Sequence, residues 1–240
     1  FISIFTFFLT CKADCIFSYG QRESVFCIIP SIFRLRRNKI VACERSCTIN
    51  RKADIYENLL MKFLYKKVFA IVCNSYTQKE HILKLKPEYK NKLYTIINHI
   101  NLNAFAPAPY PYNDIIRICV FARYDKLKNY ERLVEVVTAI KAKGYSLCLE
   151  WFGSCHMSNG SFYPDYLNLM DLITNNDICD CFKLHDQISN VSSQIAKSDA
   201  VCIASLWEGF SNTIAEGISC GRPMIVSDVS DNSVMVHDGE

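Results

Sequence analysis

Along almost the whole chain, short apolar runs bounded by polar residues alternate with stretches where apolar positions recur every three or four residues. The first pattern predicts buried strands, the second amphipathic helices. Cys15 to Ser18 and Lys39 to Cys43 read as strands, with an apolar helical stretch around Ser24 to Leu35 between them. Tyr56 to Lys67 carries Leu59, Leu60, Phe63 and Leu64 at helical spacing and precedes a strand at Val68 to Cys73, a helix led by Ser75 and a strand at Leu93 to Ile97.

The alternation breaks at Asn101-Leu-Asn-Ala-Phe-Ala-Pro107-Ala-Pro109-Tyr-Pro111, where three prolines at alternate positions remove N–H donors and stiffen the backbone. We place a linker at 107–114, dividing a first domain, 1–106, from a second, 115–240. The second domain predicts strand Ile115 to Phe121 and helix Tyr130 to Lys143, with Leu133, Val136, Val137 and Ile140 on one face and Gly144 at its end. Strand Ser146 to Phe152, helix Tyr166 to Thr174, a short strand near Phe182, helix Val191 to Lys197 and strands Ala200 to Ala204 and Met224 to Ser227 follow. Helices separating short apolar strands imply an α/β fold with a doubly wound parallel sheet in each half, binding ligands at the carboxyl ends of strands.

Composition narrows the function class. Half of the 240 residues are hydrophobic, ample for a core, and a net charge of +3 spread over 27 basic and 24 acidic side chains is too balanced for a dedicated nucleic-acid binder. The 13 cysteines are odd in number, and Cys11/Cys15, Cys43/Cys47 and Cys179/Cys181 lack zinc-finger spacing. Cys119, Cys148 and Cys202 lie in apolar runs and read as small core residues, a usage that fits a reducing cytoplasm. Phe1 to Leu9 is apolar but far short of a membrane span. The chain opens on Phe1 rather than Met and closes just after a strand-like run, so both domains are expected to be incomplete, the first at its N-terminus and the second at its C-terminus.

The most specific segment is Glu208-Gly-Phe-Ser-Asn-Thr-Ile-Ala-Glu216, followed by Gly221 and Pro223. Gly209 and Ser211-Asn212 are turn and cap residues, Thr213 to Ser219 is helix-compatible, and Gly221 and Pro223 mark its stop. Backbone N–H groups at a helix start attract anions, and carboxylates before and inside the helix can accept hydrogen bonds from hydroxyls. Phosphate flanked by hydroxylated rings describes a nucleotide sugar. Arg123 and Lys128, in Ala122-Arg-Tyr-Asp-Lys-Leu-Lys128-Asn129, lie on the loop after the first strand of the same domain, where cations either reach a diphosphate or simply face solvent. The five histidines show no paired spacing and the second domain has no Asp-x-Asp, so no catalytic metal is expected.

Together with Leu149-Glu-Trp-Phe-Gly153-Ser, these motifs resemble glycosyltransferase family 4, the retaining nucleotide-sugar enzymes of the GT-B fold, and within it the bacterial polysaccharide type. The resemblance runs from about Cys73 to Glu240, including Asn74-Ser75 and Ile97-Asn98, and is looser before it. It implies two Rossmann-like domains, the first on the acceptor side and the second holding a UDP-type or GDP-type donor, with chemistry in the cleft between them. Arg123 and Lys128 would bind the donor diphosphate, Glu208 the donor-sugar hydroxyls, and Gly209, Phe210, Ser211 and Asn212 would offer backbone groups to the sugar. Thr213 and Ile214 N–H groups would meet the phosphate, Glu216 would hold the ribose, Gly153 would lie near the nucleotide, and the backbone at Leu184 and His185 would line the base. Beyond the donor no cofactor is implied. The acceptor would be a glycan or lipid-linked hydroxyl, in cell-surface polysaccharide or glycolipid synthesis.

The first domain departs from the family pattern. Some members place a histidine after a first-domain strand, where this chain has Glu44-Arg45-Ser46; Glu44 either replaces that contact or pairs with Arg45. Gly20, within Ser18-Tyr-Gly-Gln-Arg22, belongs either to an acceptor entrance or to an ordinary turn. Arg34, Arg36, Arg37 and Lys39 form a basic cluster that either contacts anionic membrane peripherally, at the inner face, or is a solvated face. The family's glycine-containing first loop is expected before residue 1 and the closing helices after Glu240. A truncated module that binds a nucleotide sugar without transferring it is therefore the alternative, while a dinucleotide-dependent oxidoreductase is disfavoured because the eight glycines contain no Gly-x-Gly.

Overall fold

The computed structural model describes residue 7 and residues 12–32, 39–45 and 59–239. The readings that fall on the rest of the apolar opening, Arg34, Arg36, Arg37, Ser46, Cys11, Cys47, the start of the Tyr56 helix and Glu240 lie outside the described residues. The chain divides into two compact units, Phe1–Asn98 with Glu208–Phe210, and His99–Trp207 with Ser211–Glu240.

The first unit holds a parallel sheet of β1 (Cys15–Tyr19), β2 (Lys39–Glu44), β3 (Ala70–Cys73) and β4 (Leu93–Thr95), hydrogen-bonded in that order. Ile40 and Ala42 of β2, Ile71 and Cys73 of β3 and Leu93 of β4 join one buried cluster with Val25 and Ile28 of α1 (Gln21–Ile32) and Ile82 of α2 (Tyr76–Leu85). Ser75 caps α2 as expected, its hydroxyl accepting the Gln78 N–H at 3.2 Å. One helical reading takes a different form. The segment read as a helix from Tyr56 is, where described, a π-helical turn at Leu60–Leu64 running into a 3-10 turn at Tyr65–Lys67. The Lys92 ammonium, at the end of the 3-10 turn Pro87–Lys92, donates to the Tyr65 carbonyl and, at 3.4 Å, to that of Val68.

The second unit holds a five-stranded parallel sheet in the order β7-β6-β5-β8-β9. From β5 (Ile116–Phe121) the chain steps outward through α3 (Tyr130–Ala142), β6 (Leu147–Phe152), α4 (Pro164–Asn175) and β7 (Phe182–His185). It then returns through α5 (Val191–Ala196) to β8 (Ala200–Ile203) on the other side of β5, and continues through α6 (Asn212–Ser219) to β9 (Met224–Val226) and the short α7 (Asn232–Met235). The strand order therefore reverses between β5 and β8, which makes a crevice at their carboxyl ends. Val120, Leu149, Trp151 and Phe182 pack against Leu133, Val134 and Val137 of α3 and Leu169 and Ile173 of α4. Ile195, Val201 and Cys220 form a second cluster with Phe121 and Met224 against it. Cys119 and Cys202 are core residues as expected, whereas Cys148 is half-buried, and all 11 described cysteines are free thiols.

Candidate functional site

Both loops that flank the strand reversal carry the residues singled out by sequence. After β5, Asp125 caps a 3-10 turn (Lys126–Lys128) by accepting the Leu127 N–H at 2.9 Å, and the turn closes on Asn129 at φ 57° and ψ 43°. That left-handed conformation suits glycine and asparagine, a physical reason for Asn after Lys128. Arg123 stands 77% exposed beside Asp125, 3.5 Å away, a pairing that leaves the guanidinium largely in solvent. After β8, the Leu206 N–H donates to the Leu127 carbonyl at 2.8 Å, tying one loop to the other. The Thr213 hydroxyl at the start of α6 donates to the Phe121 carbonyl at 3.2 Å. Loop, loop and helix start are thus joined at the crevice.

Helix α6 starts at Asn212 with Ser211 in the cap position, but the Ser211 side chain makes no cap hydrogen bond, contrary to expectation. Its far end follows the sequence reading: the Gly221 N–H donates to Ile218 O at 2.9 Å and the Arg222 N–H to Gly217 O at 3.0 Å, with Gly221 at φ 70°. Ile214 is fully buried and holds the helix against the core. Glu216, in the second turn, is half-buried, and burial pushes its carboxyl above the ordinary range. Gly217 admits Met224 beneath the helix, since a Cβ there would stand 2.4 Å from the Met224 sulfur.

Gly153, at the end of β6, is required by close approach: a Cβ would stand 2.2 Å from the Ala122 carbonyl oxygen, itself held at 2.8 Å by the buried Trp151 indole N–H. Next to it, the His185 carbonyl accepts the Gly153 N–H at 3.2 Å and lies 2.7 Å from the Tyr124 hydroxyl, which in turn accepts the His185 N–H at 3.2 Å. The His185 backbone is committed within the protein, so the part of it open to a ligand is its ring. Asp186 accepts the Gln187 N–H at 2.7 Å and, holding the loop after β6, the Cys155 N–H at 3.2 Å, and these bonds, in that order, keep its carboxyl below the ordinary range. Tyr124 and Asp186 went unremarked in the sequence because each acts through residues far along the chain.

The remaining candidates belong to the first unit. Gly20 turns the chain from β1 into α1 at φ 112°, its carbonyl taking the Ser24 N–H and hydroxyl. Glu44 is 1% exposed at the end of β2 and accepts a hydrogen bond from Gln21 Nε2 at 3.0 Å, while the Arg45 guanidinium lies 5.9 Å from the Tyr19 ring centre. Glu208, Gly209 and Phe210 divide with this unit. Among the described residues no three His, Cys, Asp or Glu side chains gather to hold a metal ion, and no helix is long and apolar enough to cross a membrane.

Comparison with known proteins agrees with this layout. A component of the phosphatidylinositol N-acetylglucosaminyltransferase of Arabidopsis thaliana is 25% identical over 171 residues, 70% of this chain and 36% of that protein. Among solved structures, Anabaena HepE with UDP-glucose superposes with a TM-score of 0.80 at 17% identity, over 99% of this chain and 65% of that one. Sucrose-phosphate synthase from Thermosynechococcus elongatus gives a TM-score of 0.74 at 16% identity, over 91% of this chain and 57% of that one. The chain thus spans part of the length of each protein it matches, and it carries two parallel sheets of the GT-B type. Residues 115–240, more than half of the chain and the whole of the five-stranded sheet, match the family of group 1 glycosyl transferases, and the chain belongs to that family.

Proposed function

We propose that the protein transfers a hexose-type residue from a nucleoside diphosphate sugar, of UDP or GDP type, to an acceptor hydroxyl with retention at the anomeric carbon. The observation that carries this reading is the strand reversal, where the Arg123 and Lys128 loop, the loop after β8 and the start of α6 are hydrogen-bonded together. In this reading Arg123, Lys128 and the N–H groups of Thr213 and Ile214 neutralise the leaving diphosphate, which makes a divalent cation unnecessary. Glu216 takes the ribose hydroxyls, and Gly153, Leu184 and His185 flank the nucleoside. Glu208 takes the donor-sugar hydroxyls, with backbone groups of Gly209, Phe210, Ser211 and Asn212 beside it. Gly20, Glu44 and Arg45 serve the acceptor. Anabaena HepE, solved with UDP-glucose, supports the donor class. The name of the Arabidopsis relative supports a lipid-linked acceptor, and with it glycolipid or cell-surface polysaccharide synthesis on the cytoplasmic face, where Arg34, Arg36, Arg37 and Lys39 would contact anionic lipid.

Removing an electrostatic contact to the departing group typically lowers the rate about 100-fold to 1000-fold, and that loss is expected for Lys128→Ala in a sugar-transfer assay. Turnover at the wild-type level in Lys128→Ala or Glu216→Ala would sink the assignment. A second reading is donor binding without transfer, since Arg123, Lys128, Glu216 and His185 all lie in one unit. Calorimetry with UDP beside a donor-hydrolysis assay separates the two.

A further inference from the structure

The turn that carries Lys128 is built from conformations that do not hold themselves. It is a 3-10 turn of three residues closing on Asn129 at φ 57°, and short 3-10 runs and left-handed residues persist where their surroundings fix them. Part of that fixing comes from the two loops at the strand reversal. Asp125 Oδ1 accepts the Leu127 N–H, the Asp125 carbonyl accepts the Lys128 N–H at 2.8 Å, and the Leu127 carbonyl accepts the Leu206 N–H.

Asp165 supplies the rest from another element. It stands behind Pro164 in the first turn of α4, where the positive end of the helix favours a carboxylate. Its Oδ2 accepts the Lys126 N–H at 3.2 Å and its Oδ1 accepts the Tyr130 hydroxyl at 3.1 Å. Tyr130 is 1% exposed at the start of α3, and burial, with the bond to Asp165 next, pushes its phenol up to about 12, so it remains a donor at neutral pH. One half-buried carboxylate thus fastens the chain on both sides of Lys128, through partners 39 and 35 positions away in sequence.

Resting on the donor reading above, in which Lys128 meets the diphosphate, we propose that Asp165 is the positioning residue of that lysine. It acts on the donor only through the turn, by fixing the backbone before and after Lys128 so that the ammonium is aimed before the ligand arrives. A lysine charge rides on a flexible four-carbon stem, so the backbone beneath it decides where the charge can reach. A turn ordered in advance also spares the ligand the cost of ordering it. The residues read as flanking the nucleoside, Gly153, Leu184 and His185, stand at the ends of β6 and β7, so loosening the turn touches the phosphate part of the affinity alone.

Calorimetry on the full chain with UDP and with uridine, which lacks the phosphates, tests this. Asp165→Ala is expected to weaken UDP about 3-fold to 30-fold, within the range over which residues of one hydrogen-bonded network couple, and to leave uridine unchanged. Beside Lys128→Ala, the same substitution is expected to cost less than about 2-fold more, because the charge it aims is gone. Tyr130→Phe keeps the buried ring and removes one of the two bonds, so its loss is expected to be smaller and to vanish in the same background. Unchanged UDP affinity in Asp165→Ala, or in Tyr130→Phe where Asp165→Ala does not fold, overturns the assignment and leaves the donor reading standing. Equal weakening of UDP and uridine does the same, and so does full additivity with Lys128→Ala. A wild-type chain that does not bind UDP overturns the donor reading itself.

Discussion

Glu216 shows how one side chain carries a cost beside its proposed use. Half-buried in the second turn of α6, its carboxyl titrates above the ordinary 4.5 because burial disfavours the charge. Well below 4.5 the group is protonated in folded and unfolded chains alike and favours neither. As pH rises through the unfolded and then the folded titration, the folded state holds a charge it solvates poorly, so stability falls across that window. Glu216→Gln is therefore expected to melt above the wild type at about pH 7 and level with it near pH 4. The same substitution loses ribose binding if the proposed role is right. A melting difference that stays constant between those pH values would remove burial as the cause. Such a residue is visible in sequence as one end of a motif; its half-burial on α6 is not.

At the scale of elements, short apolar runs bounded by polar residues located each strand of both sheets to within two residues at most boundaries, most plainly β2 and β8, whose residues are almost all buried. What sequence could not show was contact between distant elements. Arg222 is an instance: next to Gly221 it looks like one more surface cation, yet it is 4% exposed. Its guanidinium donates to Ile195 O (3.2 Å) and Ala196 O (2.7 Å) at the end of α5, and to Ala108 O (3.0 Å) and Pro109 O (2.5 Å) of the proline segment. Carbonyls at a helix end carry negative partial charge, which offsets the buried cation. Prolines 107, 109 and 111 stiffen that segment, and Arg222 fastens it to the second unit. Arg222→Met removes the four hydrogen bonds that the buried guanidinium gives to these carbonyls, and hydrogen bonds to charged groups contribute about 1.5–3 kcal/mol each, so a loss of at least about 3 kcal/mol is expected. Arg222→Lys, with fewer donors and no planar fork, should fall between. Denaturant titration reads both, and a midpoint unchanged in Arg222→Met would show that the clamp contributes nothing.

For the molecule as a whole, the sequence reading of two α/β halves rests on each half burying its own apolar side chains, and the structure gives each unit separate clusters. Ile40, Ile71, Tyr65 and Ile82 belong to the first, and Val120, Trp151, Leu169 and Phe182 to the second. Units with separate cores can unfold as separate cooperative steps. The proposed diphosphate, ribose and base contacts, Arg123, Lys128, Glu216 and His185, all fall within the second unit. A ligand that binds only one folded unit stabilises that unit alone, by about 2.7 kcal/mol at a concentration 100 times its Kd. Scanning calorimetry is therefore expected to show two transitions, with UDP raising one by several degrees and leaving the other in place. Arg222→Met should lower the UDP-sensitive transition, which identifies it independently of the ligand. If UDP moves both transitions together, or if a single transition carries the whole heat, the two units do not unfold as separate steps and the prediction fails.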